Sequence, residues 1–94
     1  MSESQDVEGI NSRAMELYEQ GNLTEALQQY HLALDILKVE APDSLELAAS
    51  YNNIGIVFED QGKLMKAVDH YRLALSIQKI EAPDSLELAA SYNN

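Results

Sequence analysis

The two side chains with an unperturbed pKa near neutrality, His31 and His70, are the first places to look for chemistry. A catalytic role for either would require a nucleophile within reach and a third group to orient the ring. The chain has no cysteine, and none of its serines stands in a recognisable nucleophile motif. Metal binding fares no better, because no His, Cys or carboxylate cluster has ligand spacing. No glycine-rich phosphate loop is present either. Both histidines read as surface or interface residues on helices, and the chain reads as non-enzymatic, with no catalytic residue, no metal and no cofactor.

Charge narrows the partners further. Six Lys and Arg stand against sixteen Asp and Glu, a formal charge of −10. The basic residues Arg13, Lys38, Lys63, Lys66, Arg72 and Lys79 are scattered, so no cationic patch meets a phosphate backbone. Nucleic acid and anionic membranes are therefore excluded as partners. Yet 46% of the residues are hydrophobic, enough for a folded core in a 94-residue chain of one domain. The start, MSESQDVEGI, lacks the basic and apolar regions of a signal peptide, and no stretch is long enough to span a bilayer. The default expectation is cytoplasmic.

The elements that must position any binding residues are set by a repeat. Sliding the chain by 41 residues aligns 13–53 with 54–94, and the fourteen residues EAPDSLELAASYNN at 40–53 recur unchanged at 81–94. Within a unit the apolar spacing is helical. Leu47, Ala48, Tyr51, Ile54, Gly55 and Phe58 form one stripe, and Leu64, Ala67, Val68, Tyr71, Ala74, Leu75 and Ile77 a second. Asp43 with Glu46, and Asp84 with Glu87, have capping-box spacing, and Asn22 with Glu25 offers another cap. Gly21 and Gly62 are placed to close the preceding helices. The expected map is helix 6–20, 23–39, 44–60, 64–80 and 85–94, with residues 1–5 a flexible N-terminus. Connections this short force antiparallel neighbours. Small residues at Ala26, Ala33, Gly55, Ala67 and Ala74 let the axes approach, and a larger residue at Gly55 should clash.

Tyr51-x2-Ile54-Gly55-x2-Phe58, followed by Ala67-x3-Tyr71 and Ala74, resembles the signature of the tetratricopeptide repeat family. The first unit matches in its second half, at Gly21, Ala26, Tyr30 and Ala33. Arg13 takes an aliphatic slot there, which implies a terminal helix partly open to water or a snorkelling stem. The 41-residue period and the stretch 33–55 are similar to the long-repeat subclass typified by kinesin light chains. The resemblance implies an all-α, right-handed solenoid of antiparallel helix pairs: repeat one at 6–40, repeat two at 44–81 and a half-repeat helix at 85–94.

It also implies a concave face lined by the first helix of each pair. That face would carry Asn11, Met15 and Tyr18 from repeat one, Ala49, Asn52, Asn53, Ile56 and Glu59 from repeat two, and Asn93 from the half-repeat. Asparagine carboxamides both donate and accept, so a row of them suits the backbone of an extended peptide, and Met15 and Ile56 suit an apolar anchor. Asn52 and Asn53 equally fit a plainly solvated face. The clamp that some family members use for acidic chaperone tails has no Lys or Arg here, with Asn11, Met15 and Asn53 at those positions. A protein or peptide partner that is neutral or basic is expected. The alternative is an engineered or excised repeat fragment whose main property is self-association or domain swapping. Leu86, Leu88, Ala89 and Tyr92 duplicate an internal apolar set with no polar cap after them, so a homo-oligomer is also expected.

Overall fold

Asp6 starts the first helix by accepting the Glu8 backbone N–H on its carboxylate at 3.1 Å. From there a computed structural model describes residues 6–81. Its helices are α1 (Val7–Glu19), α2 (Leu23–Glu40), α3 (Leu45–Asp60) and α4 (Leu64–Glu81). All four lie where the apolar periodicity puts them, to within a residue at each end. Residues 1–5 and 82–94 lie outside the described residues, and with them the expected flexible N-terminus, the half-repeat helix, Asn93 and the apolar set Leu86, Leu88, Ala89 and Tyr92.

The glycines end the first helix of each pair as their conformation requires. Gly21 has φ +85 and Gly62 φ +80, a region that strains residues with a side chain. Around Gly21, the Asn22 N–H reaches the Leu17 carbonyl at 2.8 Å and the Gly21 N–H the Tyr18 carbonyl at 3.0 Å. Lys63 to Phe58 and Gly62 to Glu59 repeat both bonds at 2.8 and 3.0 Å. This is the Schellman pattern, closed twice.

The caps differ from the spacing-based reading in two places. Ser44, rather than Asp43, caps α3: its hydroxyl accepts the Leu47 N–H at 3.0 Å. Asp43 instead turns the chain with φ +63, a left-handed conformation that Asp tolerates better than most residues. Asn22 occupies the cap position of α2 but makes no capping bond; its side-chain NH2 donates to Gln20 Oε1 at 3.3 Å.

Packing follows the pairing. α1 lies on α2 and α3 on α4, and α2 on α3 joins the two pairs. Tyr30, Leu34, Leu37, Leu47, Ile54 and Phe58 are among the buried residues that form one continuous core through the helices. The small residues Ala14, Ala26, Ala33, Ala48, Ala67 and Ala74 are buried at the crossings. The second apolar stripe is only partly covered. Ala67, Ala74 and Ile77 are buried, whereas Leu64 and Val68 are exposed. Arg13 is exposed and pairs with Glu16 at 3.7 Å. Among the described residues no helix is long and apolar enough to cross a membrane.

Candidate functional site

The described residues expected to line a binding face differ in exposure. Met15, Ala49, Ile56 and Glu59 are exposed, and Asn11, Tyr18, Asn52 and Asn53 are half-buried. Helical phase explains this, since 49, 52, 53, 56 and 60 fall on one face while 47, 54, 57 and 58 turn into the core. The face is divided in two. Asn52 and Glu59 line a groove of about 550 Å³ with Leu64, Ala67, Val68, Tyr71, Arg72 and Leu75 of α4. Asp60 leans the other way, toward α1.

Two tyrosines fix these acidic side chains. The Tyr18 hydroxyl of α1 donates to the Asp60 carboxylate, and the Tyr71 hydroxyl of α4 donates to Glu59 Oε1 at 2.7 Å. The C-terminus of α3 therefore carries two adjacent carboxylates at the negative end of its helix dipole, where unpaired anions are disfavoured. The hydroxyls offset part of that repulsion. The hydrogen bond to Asp60, with smaller help from burial, pushes the Tyr18 hydroxyl pKa above the usual phenol range. Burial, then Glu59, pushes Tyr71 up strongly. Both remain protonated donors at any physiological pH. Neither Glu59 nor Asp60 pairs with a cation among the described residues. Asn11 adds a buried carboxamide oxygen with no partner among them.

Tyr71 escaped the sequence reading because it belongs to the second helix of its unit and counted as core. Its place against Gly55, where an added Cβ would stand 2.7 Å from the ring, follows from how α4 packs on α3 and not from spacing along either helix.

The histidines also meet. His31 of α2 and His70 of α4 have ring centroids 6.4 Å apart, edge to face, and His70 also lies against Phe58 at 5.2 Å and Tyr51 at 6.1 Å of α3. The Lys66 ammonium sits 5.6 Å from the Phe58 ring centroid. His70 Nδ1 donates to the Lys66 carbonyl at 2.8 Å, which fixes its tautomer. Burial, reinforced by His70, lowers the pKa of His31. Their different repeat positions concealed this encounter. Position 31 on one second helix and position 70 on the next converge because α2 and α4 both pack against α3. Among the described residues no group of three ligating side chains is poised to hold a metal. The cluster is packing between neighbouring helix pairs.

A family model described as tetratricopeptide repeat matches residues 9–80, which is most of the chain and runs from within α1 to within α4. No curated protein matches it.

Proposed function

Because the chain belongs to the tetratricopeptide repeat family, whose repeats mediate protein–protein interaction, we propose that it is a scaffold module gripping an extended, basic or neutral peptide. The binding face is the open side of α1 and α3. One observation carries the charge preference: Glu59 and Asp60 are adjacent at a helix C-terminus, oriented by Tyr71 and Tyr18 and without a cationic partner among the described residues. A Lys or Arg of a bound peptide placed there would neutralise both carboxylates and the helix end together. Asn11, Asn52 and Asn53 serve the peptide backbone in this reading, and Met15 and Ile56 take an apolar side chain.

The test is fluorescence titration with a library of labelled extended peptides, varied in charge at fixed length. The expected binders carry a basic residue, and their affinity falls as salt is raised. Asp60→Asn and Glu59→Gln should each weaken binding by about 1 kcal/mol, roughly fivefold, the upper range for an exposed ion pair. Preference for acidic peptides, or binding indifferent to both substitutions, would remove this reading.

A further inference from the structure

The two helix pairs meet along one seam, and a polar or aromatic link crosses between them in each layer of helices. Among the described residues, α2 on α3 is the one extensive contact between the pairs, and the apolar core runs through it. The first helices are tied by Tyr18 of α1, whose hydroxyl donates to the Asp60 carboxylate of α3. The second helices are tied by His31 of α2 and His70 of α4, both half-buried, whose rings meet edge to face with centroids 6.4 Å apart.

The two links respond differently to a proton. Tyr18 stays a neutral donor, because its bond to Asp60 raises the hydroxyl pKa. The histidine contact suits uncharged rings, whereas two imidazolium cations repel across a partly buried contact that screens them poorly. The surroundings do little to absorb a second charge. On α2, Asp35 favours a proton on His31 and Lys38 opposes it. On α4, the Lys66 carbonyl takes the Nδ1 hydrogen of His70, and the Lys66 ammonium lies 5.6 Å from the Phe58 ring centroid. On α3, the groups against His70 are the uncharged rings of Tyr51 and Phe58. Of these groups only Asp35 is an anion.

We propose that the joint between the helix pairs is a proton-driven hinge: charging both His31 and His70 moves α4 away from α2, while Tyr18 and Asp60 hold α1 to α3, so the pairs turn on the α2–α3 seam instead of separating. Rigid-body rotation about a packed contact is a common form of switching, because a close-packed seam turns more readily than it deforms. With the first helices held and the second helices spread, α1 and α3 become the inner side of a tighter bend. The uncharged pair is the state near neutral pH, since burial first and His70 second hold the His31 pKa below its ordinary 6.5. The hinge does not depend on what the open face binds.

The chain has no cysteine, so spin labels can be attached at chosen pairs of introduced cysteines. Thr24→Cys with Met65→Cys, exposed and equivalent positions on α2 and α4, reports the second helices. Met15→Cys with Ile56→Cys, exposed and equivalent on α1 and α3, reports the first. Electron–electron dipolar spectroscopy on each labelled full chain, at about pH 7.5 and about pH 5, should show the 24–65 distance lengthening by about 2 Å in acid while the 15–56 distance stays or shortens. His31→Gln and His70→Gln should each abolish the lengthening, and either one suffices if the other fails to fold. Tyr18→Phe should turn rotation into separation, so that both distances lengthen. A 24–65 distance indifferent to pH overturns the proposal, as does a lengthening that survives the histidine substitutions. Lengthening of both distances with Tyr18 intact also overturns it, because the pairs would then part rather than turn. Loss of helical circular dichroism at the lower pH does the same, since the chain would be unfolding.

Discussion

At Gly55 the packing of α3 on α4 leaves no room for a side chain. A Cβ there would stand 2.7 Å from Tyr71 Cε1 and 2.9 Å from Cδ1. Glycine inside a helix costs about 1 kcal/mol relative to alanine, so Gly55→Ala sets a propensity gain against a clash. The ring cannot simply yield, because its hydroxyl is held by Glu59 at 2.7 Å. Overpacking of this kind costs about 1–3 kcal/mol, which outweighs the gain. Gly55→Ala should therefore lower stability by about 1 kcal/mol net in urea unfolding. In a Tyr71→Ala background the obstacle is gone, and the same substitution should stabilise by the propensity difference of about 1 kcal/mol. A cycle showing no coupling would mean that the ring moves freely. The need for a small residue at position 55 is legible from the pattern of residues alone. The neighbour that enforces it is not, since spacing along α3 says nothing of which α4 side chain crosses that point.

The helices themselves were almost wholly legible, because their starts and stops rest on local chemistry: a left-handed glycine after α1 and α3, short polar turns, and an apolar period near 3.6. The start of α3 is where that logic slipped by a residue. Asp43-x-x-Glu46 has capping-box spacing, but Ser44-x-x-Leu47 offers an equally good acceptor one step later. Nothing in the residue types decides between them. The backbone after Pro42 decides, by sending Asp43 to φ +63 and leaving Ser44 extended at φ −85, ψ 159. The two positions should accordingly respond in opposite ways. Ser44→Ala removes the acceptor for the Leu47 N–H and should cost about 1 kcal/mol in thermal or urea unfolding. Asp43→Gly, at a left-handed position, should leave stability unchanged or slightly raised. If Asp43→Gly proves the costlier of the two, the capping role returns to the aspartate. The division of the open face has a similar origin. Helical phase identifies which α1 and α3 residues face outward, but whether Asn52 and Glu59 belong with α4 or with α1 depends on how the helix pairs are stacked.

Across the whole molecule, the contact between the two helix pairs contains the groups most sensitive to pH near neutrality. His31 of α2 and His70 of α4 meet over Tyr51 and Phe58, with Lys38 also acting against a charge on His31 and Asp35 acting for it. Burial first, and His70 second, hold the His31 pKa below its ordinary 6.5. The unfolded chain therefore binds this proton more readily than the folded one, and between the two pKa values the unfolded state carries more protons. Stability from this site is complete above about pH 7 and declines as pH falls through 6.5 toward the folded value, where the loss levels off. Falling pH also neutralises some of the chain's excess negative charge, −10 at pH 7, and by relieving self-repulsion this acts in the opposite direction. The two effects separate by comparison with His31→Gln, which retains the carboxylates and loses the titrating ring. Between about pH 7.5 and 5.5 the unsubstituted chain should lose more melting temperature than His31→Gln. Parallel curves for the two proteins would show that the ring pair does not couple protonation to the packing of one helix pair on the next.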